Sequence, residues 1–235
     1  PNGTFTIGGL DNMGGGGGDS SGLFAIPSRI RLEQSVIAFE DQLSGAEPVF
    51  FRNVNAQLRN AGGRHQLAAE LPFPGGGELA LKADIRGDAA RAGGWSADVF
   101  VQGRNLALTE LLQSRIAPGY SILSGRMNAE LWSHWRDGLF TRTQGRGQLQ
   151  RLLLEREADA DSPARQLSID RLGGSFLWTA AADGWQLDVR NIQFARNGSV
   201  WPESGFSVSS RFDDHGRIRM LAGADFARAG DLAAI

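Results

Sequence analysis

Three histidines, His65, His134 and His215, are the residues of this chain best suited to catalysis or metal binding. They lie far apart along the chain and show none of the short spacings with which side chains hold a metal ion. His134 lies between Trp132 and Trp135, and His215 falls in an acidic segment that ends in glycine. We therefore expect exposed or rim histidines and no metal site.

The paired carboxylates Asp213-Asp214 are the second candidate, as calcium ligands or as the acid and base of glycoside cleavage. Because His215-Gly216 follows them directly, the segment is typical of a hairpin turn. The chain has no Gly-x-Ser-x-Gly elbow and no cysteine, which removes disulfides, thiol catalysis and thiolate metal sites. The residue pattern therefore supports no enzyme, no catalytic residue and no cofactor.

A glycine run from Gly14 to Gly18 has the composition of a phosphate-binding loop. Such loops need a Lys-Ser/Thr pair or a Gly-x-Gly-x-x-Gly motif that opens onto a helix. Here Pro27 and a strand pattern follow, so the run predicts a flexible loop.

Composition and charge limit the class of partner. The 235 residues are 41% hydrophobic and 9% aromatic, which is enough for a buried face, and the formal net charge is −2. Neither nucleic acid nor an anionic membrane surface is an expected partner. No run reaches about 18 apolar residues, and the first residues do not have the pattern of a signal peptide. The chain begins inside an apparent strand and stops without a signal that ends an element, so we expect a piece of a longer protein.

Alternation of apolar and polar residues is the main structural signal. From Glu78 to Arg86 every odd position is apolar, and the step Gly94-Trp95-x-x-Asp98-Val99 recurs as Gly184-Trp185-x-x-Asp188-Val189. A side-chain period of two predicts strands with one apolar and one polar face. The predicted fold is therefore all-β. It is a long curved antiparallel sheet of consecutive hairpins, an open groove or taco-like half-barrel, with one short crossover helix.

Two features interrupt the alternation. The apolar phase of Ile30 and Leu32 shifts by one residue afterwards, which predicts a bulge near Ser35. Trp132 and Trp135 occupy an even and an odd position, so at least one of them should lie at a rim or on the outer face.

A change of period marks the predicted helix. Leu108, Leu111 and Leu112 fall at i, i+3 and i+4, which predicts a short amphipathic helix over residues 106–115 that serves as a plug or cap. The pattern divides the chain into a partial strand with the glycine loop (residues 1–27), a first β-groove module that ends in the helix (residues 28–118), and a second module (residues 119–235).

The same residues carry a resemblance to a known family. The Gly-Trp-x-x-Asp-Val step, the exit from Val101 to Leu106 with its echo from Leu221 to Phe226, and the glycine-to-Leu-Trp segments Gly125 to Trp132 and Gly174 to Trp178 resemble the AsmA-like proteins of the Gram-negative cell envelope. The YhdP branch is the most similar. The spacing departs in the second glycine-to-Leu-Trp segment, which is shorter than the first.

The resemblance implies a bridge-like lipid carrier that contributes to the permeability barrier of the outer membrane. Such a protein is anchored in the inner membrane, extends through the periplasm, and holds phospholipid acyl chains in the apolar groove of its sheet. Its other partners are the remaining parts of the same chain and the two membranes. Such a groove is favourable because each CH₂ group of an acyl chain exposed to water costs about 0.8 kcal/mol.

The side chains predicted to line the groove, here called the lining set, are the apolar residues at alternating positions of the predicted strands. A sealed alternative remains open, in which the same side chains pack against each other in a sandwich or barrel. The chain is then a non-catalytic scaffold or assembly module that binds protein partners at its edges. The lining set consists of Leu79, Leu81, Ile85, Trp95, Val99, Val101, Met127, Leu131, Phe176, Trp178, Trp185, Leu187, Val189, Phe194, Phe206, Val208 and Ile218.

Overall fold

The structure is a computed structural model that describes residues 28–39, 49–88, 94–111, 115–117, 119–158, 163–213 and 215–225. In these residues the chain forms one antiparallel sheet and a helix of a single turn. The elements are β1 (Ser28–Phe39), β2 (Val49–Ala61), β3 (Arg64–Pro72), β4 (Glu78–Gly87), β5 (Trp95–Ala107), α1 (Leu108–Leu111), β6 (Arg115–Ala117), β7 (Tyr120–Arg136), β8 (Leu139–Arg156), β9 (Arg165–Ala181), β10 (Gly184–Arg196), β11 (Ser199–Val200), β12 (Ser204–Phe212) and β13 (Ile218–Ala224).

The order of strands in the sheet follows the order of the chain. Eleven strands form the path β1-β2-β3-β4-β5-β7-β8-β9-β10-β12-β13, while β6 pairs with β7 and β11 pairs with β10. Among the described residues no pairing joins β1 to β13, so the sheet is open. The predicted all-β sheet of consecutive hairpins is confirmed. Because β5 pairs directly with β7, the sheet continues across residue 118, and the division into modules stays a prediction.

Two tight turns have the Asp-Gly and Asn-Gly sequences that favour two-residue hairpins. Asp137-Gly138 joins β7 to β8 with φ values of 52° and 74°, and Asn197-Gly198 follows β10 with φ values of 50° and 75°. Two consecutive left-handed residues are the mark of the type I′ hairpin, whose twist matches that of the flanking strands. The sequence signal and the backbone therefore agree at both positions.

Left-handed residues also occur inside strands, where they shift the side-chain phase. Gln34 in β1 has a φ of 48°, and the register shifts on both sides of Ser35, so the predicted bulge is confirmed. Asn53, Asn105 and Asn191 have φ values of 56°, 51° and 54°. Each lies at a register shift, and an extra residue in one strand moves the apolar side chains from odd to even positions or back.

The three asparagines share a short motif. Each follows arginine and precedes an apolar residue, as Arg52-Asn53-Val54, Arg104-Asn105-Leu106 and Arg190-Asn191-Ile192. Asparagine tolerates the left-handed region better than other residues that carry a Cβ. The backbone N–H of Asn105 also donates to Oδ1 of Asn128 on β7 at 2.7 Å, which satisfies an N–H that the bulge displaces from the ladder. The kink therefore has both a local cause and a partner.

The predicted helix is shorter than expected. Only Leu108–Leu111 is helical, while Leu106 and Ala107 still belong to β5 and residues 115–117 form β6. The kink at Asn105 lets Leu106 and Ala107 resume pairing with Met127 and Arg126 of β7. Ladder hydrogen bonds therefore hold two residues that the i, i+3, i+4 pattern assigned to the helix. Residues 112–114 lie outside the described residues.

A hydrophobic core cluster lies where α1 meets the sheet. Leu108, Ile122, Leu152 and Ile169 are buried, and partly buried residues such as Phe194 pack against them. Leu108 is 3% exposed. This core cluster is the one place where an element other than a sheet strand covers the described part of the sheet. Two predicted parts of the chain lie outside the described residues. They are the strand and glycine loop of residues 1–27 and the end of the second module after residue 225.

Candidate functional site

One row of apolar residues crosses the whole path of eleven strands. Residues paired Cα to Cα in adjacent strands point to the same face of a sheet, so a row can be followed from pair to pair. We call the side of the sheet that carries this row the apolar face. The row consists of Leu32, Ala56, Ala69, Leu81, Val101, Leu131, Gly145, Phe176, Val189, Phe206 and Ala224.

A second row runs beside the first on the same face. Its polar members are Ser133 and Thr143 in the middle of the sheet. With strands about 4.8 Å apart, ten steps from β1 to β13 make each row about 48 Å long. The second row consists of Ile30, Leu58, Leu67, Ala83, Val99, Ser133, Thr143, Trp178, Leu187, Val208 and Ala222.

All members of the lining set lie on the apolar face. Many stand in the two rows, and others, such as Leu79, Ile85 and Trp185, occupy alternate positions of the same strands. Met127 and Phe194 lie beyond the kinks, in a third row that also contains Leu106, Leu149 and Leu172. The structure brings the set together on one surface, and contact with lipid stays a prediction.

The apolar face is partly accessible. Phe176 and Phe206 are 36% and 38% exposed, and Ile218 on the last strand is 62% exposed. Within the described residues, strands contact each other mainly where they are neighbours in the sheet. These residues therefore form a single layer. A sealed sandwich core buries such large side chains almost fully, whereas the middle of this sheet leaves them half-buried.

Aromatic residues concentrate near one end of the apolar face. The ring centroids of Trp95 and Trp135 are 5.6 Å apart, and those of Trp135 and Phe140 are 3.6 Å apart. Trp135 pairs with Ala97 on this face, whereas Trp132 pairs with Phe100 on the opposite face and is 37% exposed. The prediction that one of the two tryptophans lies on the outer face is confirmed.

His65 corrects the expectation of exposed or rim histidines, because it is 4% exposed. It pairs with Ile85 on the apolar face, and its ring nitrogens lie 3.1 Å from Oδ1 of Asn60 and 3.2 Å from the carbonyl oxygen of Gly87. Burial is tolerated because both ring nitrogens have polar partners. The sequence offered one signal, since His65 is in phase with the apolar residues of β3.

The opposite side of the sheet, here called the polar face, carries hydrogen-bonded ion pairs. Arg64 contacts Asp84, and its hydrogen bond holds the pKa of Asp84 below the usual value. Glu130 accepts hydrogen bonds from Gln102 at 2.9 Å and from Arg146 at 2.7 Å, and both lower its pKa. These pairs keep the polar face hydrated and charged, so the two faces of the sheet differ sharply in chemistry.

The carboxylates near histidines form pairs or turns. Asp98 and His134 are cross-strand partners with Oδ1 and Nδ1 2.6 Å apart, and His134 is half-buried. Asp213 accepts hydrogen bonds from the backbone N–H groups of His215 and Arg217 at 2.9 and 3.0 Å, an interaction of the kind by which Asp side chains stabilise turns. In the described part of the chain, no group of three or more His, Cys, Asp or Glu residues is placed to hold a metal ion.

Two open cavities lie on the polar face and meet at Trp132 and Gln144. Their volumes are about 750 and 350 Å³. The sequence argument missed this region because it followed the apolar phase alone. The available signal was Phe100, a large aromatic residue at an even position of a strand whose apolar residues are odd-numbered up to Val101.

Comparison with known protein families gives a match over most of the chain. The family model described as YhdP protein matches residues 11–235, which is nearly the whole chain. No curated protein and no solved structure matches the chain. Within the described residues, none of the helices has the length and apolar character needed to cross a membrane.

Proposed function

The chain belongs to the YhdP family, and from this premise we propose that its apolar face binds phospholipid acyl chains and supports lipid transport between the inner and outer membranes. The observation that carries the proposal is the apolar row that continues from Leu32 on β1 to Ala224 on β13. Its length of about 48 Å exceeds the thickness of about 30 Å of a bilayer hydrocarbon core. Acyl chains therefore find apolar contacts at every strand.

The energetic role of the face follows from hydration. An acyl chain that leaves a bilayer exposes CH₂ groups to water at about 0.8 kcal/mol each, or on the order of 10 kcal/mol for a long chain. Phe176, Val189 and Phe206 form one cross-strand series of large apolar side chains that replaces part of that lost contact. Headgroups remain at the edge of the face, near polar residues, and lipid moves without a chemical step.

The proposal extends to location and partners. We place the protein in the periplasm of a Gram-negative bacterium, tethered to the inner membrane through a segment outside this chain. The remaining parts of the same polypeptide connect the apolar face to the two membranes. No catalytic residue and no cofactor takes part.

A second candidate is a scaffold role in the envelope, favoured by the last strand. All residues of β13 are exposed, including Met220 at 67% and Leu221 at 75%. An exposed strand at the end of a sheet can pair with a strand of a partner protein. In this candidate the apolar face is sealed by protein and carries no lipid.

One pair of adjacent substitutions separates the two candidates. Phe176 lies on the apolar face, and Leu177 pairs with Asp188 on the polar face. We expect the full-length protein to co-purify with phospholipid, detected by native mass spectrometry and by lipid extraction. Phe176→Glu should keep the fold and lose most of the lipid, while Leu177→Glu should keep both.

Two results would contradict lipid binding. The first is wild-type protein without phospholipid when purified under conditions that preserve the fold. The second is a Phe176→Glu variant that unfolds, by circular dichroism, while Leu177→Glu stays folded, because a lone carboxylate destabilises a sealed core. The second result supports the scaffold candidate.

A further inference from the structure

The polar face contains a trough that lipid binding does not use. The two cavities of about 750 and 350 Å³ share Trp132 and Gln144, and together we call them the polar trough. Their lining residues come from β2, β3, β4, β5, β7, β8, β9 and β10. At about 4.8 Å for each strand step, the trough runs about 34 Å across the strands. This shape suits an extended ligand of several units.

An aromatic pair forms the centre of the polar trough. The ring centroids of Phe100 and Trp132 are 5.2 Å apart, and Trp132 is 37% exposed. The guanidinium carbon of Arg146 lies 5.9 Å from the centroid of a Trp132 ring. The Arg146 guanidinium covers part of the electron-rich π surface of the indole, and the exposed remainder attracts polarised C–H groups of a flat ligand surface.

Planar polar side chains surround the aromatic pair. Gln66 and Gln144 line the trough, and an amide both donates and accepts hydrogen bonds. Among the described residues, Gln66 and Lys82 make no side-chain hydrogen bond, so their polar atoms are available to a ligand. Hydroxyl groups have the same double capacity as amides. The lining therefore matches a ligand with many hydroxyls.

The lining residues of the trough carry five positive charges and three negative ones. Arg59, Lys82 and Arg142 stand against Asp84 and Asp98 in the larger cavity, and Arg146 and Arg190 stand against Asp188 in the smaller one. Arg64 contacts Asp84 and His134 contacts Asp98, which occupies the carboxylates. An excess of two positive charges over about 34 Å is small for a polyanion, because one nucleic-acid strand presents about ten phosphates over the same length. The balance favours a neutral ligand.

We propose that the polar trough binds a neutral glycan of several sugar units, with one sugar ring stacked on Trp132. One face of a pyranose ring presents C–H groups to the indole, while its equatorial hydroxyls reach the amide of Gln144, the cross-strand partner of Trp132. Gln66 lies three strand steps from Trp132, about 14 Å away, so another sugar unit of the same glycan reaches its amide. Because the trough lies on the face opposite the lipid-binding face, a glycan and a lipid bind independently.

The test uses the full-length protein and three neutral probes, cellohexaose, maltohexaose and N-acetylchitohexaose. We expect at least one of them to bind with a Kd below about 1 mM by isothermal titration calorimetry. Trp132→Ala should weaken that binding by about tenfold or more, the loss expected from one stacked ring. Gln66→Leu, which removes an exposed amide at similar volume, should also weaken it.

The matched control is Phe50→Ala. Phe50 is an aromatic residue that is 52% exposed and lies outside the trough. Its removal should leave the glycan Kd within about twofold, since distant sites act independently. Binding should also change little between about 50 and 500 mM NaCl, because a neutral ligand releases no counterions.

Three results would overturn the proposal. They are no binding of any probe at about 5 mM, equal weakening by Trp132→Ala and Phe50→Ala, and a steep salt dependence that identifies an anionic ligand. Co-purified phospholipid is measured on the same preparations. Loss of glycan binding with retained lipid in Trp132→Ala separates this proposal from the lipid-binding function.

Discussion

Asn105 allows the most direct test of how the kinks shape the sheet. Its φ of 51° lies in the left-handed region, where a side chain with a Cβ costs about 1–2 kcal/mol. Asparagine offsets part of this cost and glycine avoids it, whereas β-branched valine bears it fully. We therefore expect Asn105→Val to lose about 1–2 kcal/mol of unfolding free energy and Asn105→Gly to lose at most a few tenths.

Urea denaturation, followed by tryptophan fluorescence, measures the effect. With a slope of about 2 kcal/mol/M, Asn105→Val should lower the urea midpoint by about 0.5–1 M. The matched control is Arg104→Val, because Arg104 is exposed and has ordinary strand geometry, where valine is favoured. Its midpoint should stay close to that of the wild type.

The hydrogen bond to Asn105 gives an independent check. Asn128→Ala removes the acceptor that lies 2.7 Å from the backbone nitrogen of Asn105, which should cost about 0.5–1.5 kcal/mol. The reasoning fails if Asn105→Val unfolds at the same urea concentration as Arg104→Val. It also fails if Asn105→Gly is the less stable of the two Asn105 variants.

Two further predictions concern the core cluster and acid stability. Leu108→Ala should cost about 2–5 kcal/mol, because Leu108 is 3% exposed in contact with Ile122, whereas Leu111→Ala should cost less than about 1 kcal/mol, because Leu111 is 37% exposed; equal urea midpoints for the two variants would contradict this. Hydrogen bonds from the Arg64 side chain and from the backbone N–H of Arg217 lower the pKa values of Asp84 and Asp213 in the folded state. Their stabilising contribution is therefore present above the unfolded pKa of about 4 and is lost as the pH falls through the folded values. Thermal melts from about pH 6 to pH 2 should show a smaller acid loss for Asp84→Asn than for the wild type, and an unchanged profile in that variant would contradict the assignment.

The alternation of residues was enough to predict the fold and the composition of one face. In β4, Leu79, Leu81 and Ile85 occupy odd positions, and the register pairs them with odd positions of β3 and β5. The parity changes between strands, since the first row passes from Gly145 to Phe176, Val189 and Phe206, but the pairing register keeps the apolar positions of each strand on the same face. For that reason the lining set falls on one face even though no single strand could show it.

The kinks and the polar trough were harder to predict. Asparagine in a strand usually weakens it, so the three Arg-Asn-apolar motifs gave no clear signal until the φ values of Asn53, Asn105 and Asn191 were known. The shortened helix follows from one of them, because the kink at Asn105 returns Leu106 to the ladder. The trough is lined by side chains from eight strands. Residues that come together from such distant parts of the chain produce no periodic pattern in the sequence.

The consecutive order of strands determines how the span of the sheet can change when hairpins are inserted or deleted. Each strand of the main path hydrogen-bonds to the strands before and after it along that path, and only β7 and β10 have a further partner among the described residues, the short strands β6 and β11. Insertion or deletion of one hairpin therefore changes the span by about 9.6 Å, two strand spacings, and leaves every other pairing intact. Evolution can therefore match the length of the sheet to a fixed distance by copying or removing hairpins. Because the contacts are between neighbouring strands, the cooperativity of folding decreases with distance along the sheet.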